Sequence, residues 1–231
     1  MKRRDFLRQG LAAASSTLWM PPGILAAGDG DAGFTHSVAS GDPGQSTVFL
    51  WTRYQSRNRD SSELIVEVAD NAAMRNVRIR GKTTAKPEND GCVQSRVTDL
   101  EPGRWYFYRF TAPDGSRSPV GRTRTLPQGP VENFRIAVVS CNNATSGWFN
   151  AFAEIASRDD IDLVVHVGDY IYESPLDRSD AVAGLANARG LAPFHEVVTL
   201  NDYRARYASY RMDPAFQSIH SRVPMVVMMD D

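Results

Sequence analysis

Asp162-Leu163-Val164-Val165-His166-Val167-Gly168-Asp169-Tyr170-Ile171-Tyr172-Glu173 decides the fold of the second half of the chain. The first part is a short apolar run, the kind that forms a strand buried on both faces. It passes directly into a glycine, two carboxylates and two tyrosines. Upstream, Phe134-Arg135-Ile136-Ala137-Val138-Val139 is a second apolar run of the same kind, ending in Ser140-Cys141-Asn142. Between the two runs, Trp148, Phe152 and Ile155 stand at i, i+4 and i+7, the spacing of one helix face. Strand, helix, strand is a βαβ unit, so this half reads as α/β.

Downstream, residues 174–200 are rich in Ala, Gly, Asp and Ser and read as an irregular excursion at the edge of a site. Asn201 to Met212 is a predicted helix with Tyr203, Tyr207 and Tyr210 on one face, read as packing. A short helix follows Asp213-Pro214 and runs to Ser221. Val223 to Met229 is a further buried strand, ending in Asp230-Asp231.

The first half has a different period. Val48–Thr52, Leu64–Val68, Val77–Arg80, Cys92–Thr98, Trp105–Phe110 and Val120–Thr125 are short β-type runs separated by turn residues. That pattern predicts a β-sandwich over residues 33–126. Leu100-Glu101-Pro102-Gly103-Arg104-Trp105-Tyr106 turns into an aromatic strand, as fibronectin type III-like domains do where a buried tyrosine sits at a sheet corner. Aromatics at strand spacing are expected to fill a core. The block Phe34 to Pro43 precedes the first of these strands. His36 within it either faces a site or satisfies a loop, and the loop is favoured. Leu126-Pro127-Gln128-Gly129-Pro130 is a turn-rich linker, and a second domain is expected over 131–231.

Residues 1–27 have the form of an export signal: basic Lys2-Arg3-Arg4, a weak apolar run from Gly10 to Met20, and a small-residue exit at Ala26-Ala27. The run is too short to span a bilayer. Arg3-Arg4 followed by Phe6-Leu7 resembles a twin-arginine (Tat) signal. This implies the Tat translocase as a transient partner and a periplasmic or secreted destination. With Lys+Arg at 26 and Asp+Glu at 27, charge gives no reason to expect a nucleic-acid or stable membrane partner. Two cysteines, Cys92 and Cys141, exclude a disulfide scaffold.

Ligands of open α/β sheets bind beyond the carboxyl ends of parallel strands. Three predicted strands end in metal-competent residues: Cys141, the Asp169–Tyr172 block, and Asp230-Asp231. On neighbouring parallel strands these ends would converge. Asp169 is placed to bridge two metal ions. Thiolate and phenolate favour a Lewis-acidic transition metal, and hard Asp and Asn oxygens suit Ca²⁺ or Mg²⁺.

Val167-Gly168-Asp169-Tyr170-Ile171-Tyr172-Glu173 resembles the Gly-Asp block of calcineurin-like metallophosphatases in its PhoD-like (alkaline phosphatase D) form. Tyr203-Arg204-Ala205-Arg206-Tyr207, Tyr210-Arg211-Met212-Asp213-Pro214, Gln217 and His220 resemble that family's central helical stretch. The strand from Pro224 to Asp231 resembles the start of its Asp-Asp-His-Glu motif. The likeness covers nearly the whole chain. It implies a metal-dependent phosphoesterase acting on phosphomonoesters or phosphodiesters, with Fe³⁺ and Ca²⁺. Two such ions about 3.5–4 Å apart neutralise a phosphate and activate water. By position, Cys141, Asp169 and Tyr172 would hold iron. Asp169 would also touch calcium, together with Asp230 or Asp231, of which Asp231 is favoured. Asn142 is a candidate donor to phosphate. Arg204 and Arg211 either bind phosphate or brace their helix. His166 is expected to be buried, and His220 has no derivable role.

In the family pattern His-Glu would follow Asp231 and further ligands would come later. The chain therefore reads as a fragment, with the metallophosphatase domain incomplete at its C-terminus, and it is expected to be inactive by itself. Two other functions compete: a purple-acid-phosphatase-like hydrolase, which would usually carry Asp where Cys141 stands, and an exported β-sandwich binding module with a degenerate hydrolase domain.

Overall fold

Among the described residues, alternating side chains place seven strands in the first half: β1 (Val38–Gly41), β2 (Val48–Arg53), β3 (Ser62–Ala69), β4 (Val77–Ala85), β5 (Cys92–Val97), β6 (Trp105–Thr111) and β7 (Gly121–Arg124). The computed structural model describes residues 32–176 and 180–228. The leader and Asp230-Asp231 lie outside the described residues. β4-β3-β6-β7 is an antiparallel sheet, and β5-β2-β1 is the antiparallel side of a larger one. Every second residue points inward. Leu64, Val66 and Val68 of β3 and Tyr106, Tyr108 and Phe110 of β6 share one core with Val38, Val48, Leu50, Val93 and Val97 of the other sheet. Tyr106, Tyr108 and Phe110 therefore fill a core, as expected, while Trp105 and Phe107 are half-buried on the opposite face. Tyr106 is 1% exposed, and its hydroxyl accepts the Glu101 N–H at 2.8 Å, five residues upstream. This ties the turn to the strand as a tyrosine corner does.

The second half contributes β8 (Ile136–Val139), α1 (Asn150–Ser157), β9 (Leu163–His166), α2 (Asp180–Ala188), α3 (Leu200–Arg211), α4 (Pro214–Arg222) and β10 (Met225–Val227). β8, β9 and β10 are parallel, with β9 central. Helix starts follow their caps. The Thr199 hydroxyl accepts the Asp202 N–H while the Asp202 carboxylate accepts the Thr199 N–H, a capping box for α3. The Asp213 carboxylate accepts from Ala215 and Phe216 at the start of α4. Phe149, Phe152, Tyr210, Phe216 and Ile219 build a second core.

Four expectations change. Val38–Gly41 lies inside a block read as preceding the first strand, yet it is itself a strand. Gly41 pairs in parallel with Met225, so a single six-stranded sheet, β5-β2-β1-β10-β9-β8, runs through both halves. Arg122 Nε donating to Arg222 O at 3.0 Å and Gln217 donating to Thr35 O at 3.2 Å add to the join. The β8 segment is not buried on both faces. It is the outer strand, helices cover one face only, and Ile136 and Val138 stand 49% and 65% exposed. Trp148 precedes α1 instead of joining its buried stripe, and it lies under the Arg189 guanidinium at 5.2 Å. Finally, the stretch 174–200 contains a helix, α2.

Candidate functional site

The Cys141 and Asp169 turns are joined as β8 and β9 end. Val167 N–H donates to Val139 O at 2.9 Å, Cys141 N–H to Gly168 O at 3.2 Å, and Asn142 N–H to Asp169 O at 3.2 Å. The parallel ladder therefore continues past the strands and holds the two turns side by side. Cys141 and Asp169 are both left-handed, with φ of 56° and 53°. Non-glycine residues adopt that conformation at a cost, and it concentrates at functional sites.

The side chains converge on one carboxylate. Tyr172 donates its hydroxyl to Asp169 Oδ2 at 2.8 Å. The Cys141 thiol is the strongest influence on the same carboxylate and Tyr172 the next, and together they hold Asp169 below the usual carboxylate range. The Tyr172 hydroxyl is pushed well up, first by burial and then by Asp169 and Cys141. Thiolate, carboxylate and phenolate are all ligands of Lewis-acidic metals, so the set fits such an ion. Among the described residues no cluster of three or more His, Cys, Asp or Glu side chains could hold a metal ion. This cluster has two of those types plus a tyrosine. A cleft of about 320 Å³ opens beside it, lined by Cys141, Asn142, Ser146, Trp148 and Phe149. Both cysteines are free, Cys141 exposed and Cys92 half-buried.

Asn142 is buried, its Nδ2 donates to Tyr170 O at 2.7 Å, and its Oδ1 bonds His166 Nε2. Its amide braces the two turns. His166 is buried as expected, and burial lowers its affinity for a proton. Tyr170 had no role in the sequence reading, yet its ring meets His166, Tyr207, Phe216 and His220, and its hydroxyl bonds His220 Nε2 at 2.8 Å. The only sequence signal for it was its place beside Asp169.

Arg204 and Arg211 are not among the residues lining the Cys141 cleft. They line a larger one, of about 790 Å³, between the outer face of β2 and α3. Arg204 donates to Glu88 O at its rim. Arg211 is buried, with its guanidinium 4.3 Å from the Trp51 ring centre. His36 also lines this cleft, its Nδ1 bonded to Thr35 Oγ1 at 2.7 Å and Arg53 Nη1 at 3.3 Å. Burial, then Arg53 and Arg211, lower its pKa to about 4. Tyr203 and Tyr207 line the cleft too, whereas Tyr210 packs in the core with its hydroxyl accepting from Ala144 N–H at 3.3 Å.

Residues 20–127 match the family described as PhoD-like phosphatase, N-terminal domain, and residues 136–231 match PhoD-like phosphatase. The chain belongs to the PhoD-like phosphatase family. Alkaline phosphatase D of Bacillus subtilis (strain 168) is 35% identical over 207 residues, covering 86% of this chain and 35% of that protein. A solved structure of PhoD superposes with a TM-score of 0.76 at 32% identity, over 89% of this chain and 40% of the other. This PhoD-like chain thus spans little more than a third of the length of those relatives. A purple acid phosphatase from yellow lupin (Lupinus luteus) seeds shares the fold, with a TM-score of 0.52 at 16% identity over 84% of this chain and 34% of the other.

Proposed function

We propose that this PhoD-like chain belongs to a phosphoric ester hydrolase whose metal centre is built on Cys141, Asp169 and Tyr172. The observation that carries this reading is the convergence of a thiol and a phenol on one carboxylate, at the ends of adjacent parallel strands. Iron would be held by Cys141, Asp169 and Tyr172, and calcium by Asp169 with an aspartate of the Asp230-Asp231 pair. Such ions supply charge neutralisation for a bound phosphate and a water acidic enough to attack it. The chain's own part is positional. The ladder between the two turns fixes the spacing of Cys141 and Asp169, and Asn142, pinned between His166 and Tyr170, keeps that spacing rigid. In the same reading, residues 33–126 are a fibronectin-like sandwich, residues 131–231 belong to the α/β hydrolase part, and residues 1–27 direct Tat export to the periplasm or beyond.

The test is hydrolysis of 4-nitrophenyl phosphate and bis(4-nitrophenyl) phosphate by the intact protein, before and after chelation and after returning Fe³⁺ and Ca²⁺. Activity lost on chelation and restored by the metals supports the reading. Activity indifferent to chelation contradicts it. For export, Arg3→Lys with Arg4→Lys should leave the protein in the cytoplasm, and unchanged export of that variant would rule out the Tat route.

A further inference from the structure

We propose that the cleft between β2 and α3 is a second ligand site, which takes a planar aromatic anion and pairs its acid group with Arg211. This inference does not depend on the metal-centre reading, because Cys141, Asp169 and Tyr172 are absent from the cleft wall.

The floor is an unpaired cation. Arg211 is the last residue of α3 and only 7% exposed. Its Nη1 donates to the Tyr170 hydroxyl at 3.5 Å, while Nε and Nη2 are buried with no hydrogen-bond partner. Those two donors lie on one edge of the guanidinium, the edge that grips a carboxylate or phosphoryl group with two parallel bonds. A buried guanidinium with an empty edge is costly unless a partner arrives. Among the described residues none supplies one. Asp90 also lines the cleft but is already paired with Arg53 at 2.9 Å and accepts from Gln55 at 3.0 Å. Asp42 is exposed, and the other groups that feel Arg211 are neutral or cationic: His36, Cys92, Tyr108, Tyr170 and His220.

The walls suit an aromatic ring. With Val48 and Leu50 turned into the sandwich core, Phe49 and Trp51 of β2 face the cleft. Across from them, α3 presents Leu200, Tyr203, Arg204, Tyr207, Ala208 and Arg211, at i, i+3, i+4, i+7, i+8 and i+11, which is one helix face. Aromatic walls over a few convergent polar groups are the usual make-up of a small-molecule site, and Arg204 adds a second positive charge nearer the rim.

The experiment is isothermal titration of the intact protein with benzoate, phenylphosphonate, inorganic phosphate and benzyl alcohol. The same titrations are run on Arg211→Met, Tyr203→Ala and Asp169→Asn, with circular dichroism as the check on folding. Both aromatic anions should bind, benzyl alcohol at least tenfold more weakly, and the tighter of the two anions identifies the acid group. Arg211→Met should weaken both anions at least tenfold. Tyr203→Ala, at a partly exposed position that tolerates truncation, should weaken the aromatic anions several-fold and leave phosphate unchanged. Asp169→Asn should leave benzoate binding unchanged, while phosphate and phenylphosphonate lose the share of binding that the proposed metal centre takes. Absence of aromatic-anion binding, equal binding of benzyl alcohol, or binding undiminished in a folded Arg211→Met would overturn the proposal. If Arg211→Met does not fold, undiminished aromatic binding in Tyr203→Ala overturns it. Loss of benzoate binding in Asp169→Asn would assign the aromatic anion to the metal cluster instead.

Discussion

Tyr172 donates its phenolic hydrogen to the Asp169 carboxylate across 2.8 Å, three residues along the same turn. The contact brings the phenol to the carboxylate that Cys141 also addresses from the neighbouring strand end. Asp169 is thereby held ionised and Tyr172 protonated. If a metal ion is held here, Asp169 would meet it already ionised, and the Tyr172 phenol would give up its proton to become a ligand. The left-handed backbone at Cys141 and Asp169 is part of the same arrangement, since it turns both chains sharply as they leave the sheet.

The corner at Tyr106 should be measurable as stability. Tyr106→Phe keeps the ring in the core but leaves the Glu101 N–H without its acceptor. A stranded backbone donor costs about 1–3 kcal/mol. Denaturant unfolding should show a loss of that size, and an unchanged midpoint would mean the hydroxyl contributes nothing to the corner.

The junction of the two halves rests on a glycine. A Cβ at position 41 would lie 2.8 Å from the Met225 carbonyl oxygen, too close for β1 and β10 to keep their spacing. Gly41→Ala should destabilise the fold by about 1–3 kcal/mol, the range for forcing extra carbon into a packed site. Faster amide exchange should appear first in β1 and β10. An alanine variant as stable as the parent would contradict a continuous sheet.

Acid should weaken the fold through a buried histidine. Folded His36 takes up a proton only near pH 4, against 6.5 for the ordinary side chain, because burial, Arg53 and Arg211 outweigh Asp90 and the Ala208 carbonyl. Between those values the unfolded chain binds more protons, so stability is full above about pH 6.5, falls as the pH drops to about 4 and then levels. His166 and His220 shift the same way. His36 alone accounts for on the order of 3 kcal/mol. Chemical denaturation at pH 7, 5.5 and 4 should show this slope, with His36→Gln shallower. An identical slope in the variant would remove His36 as a cause.

Elements set by local rules were readable from the sequence. The apolar runs, the Gly-Asp turn, the aromatic strand of β6 and the start of α4 at Asp213-Pro214 depend on near neighbours, and Cys141 and Asp169 followed from the rule that strand ends converge. Long-range features were not readable. The pairing of Gly41 with Met225 joins segments far apart in sequence. The burial of β8 depends on which faces the helices happen to cover. The partners of the Asn142 amide, Tyr170 O for its Nδ2 and His166 for its Oδ1, lie on and just beyond the neighbouring strand, out of reach of a local reading. α2 was hidden because its short run of small residues carries a weak apolar stripe. The cleft face of α3 mixes tyrosine with arginine, so it does not stand out as an amphipathic pattern, and the cleft is visible only once that face is set against Trp51 and Phe49.

The most direct measurement is the metal content of purified, folded protein that carries the whole metallophosphatase domain against that of its Asp169→Asn variant, with hydrolysis of 4-nitrophenyl phosphate followed in parallel. The amide is neutral and a far poorer bridge, so the wild type should carry stoichiometric iron and calcium. Asp169→Asn should lose both, together with at least about 100-fold in activity. Tyr172→Phe should lose iron in preference to calcium. Asp169→Asn protein that keeps its metals and hydrolyses the ester at a near-parental rate would contradict a metal centre at the Cys141–Asp169–Tyr172 cluster.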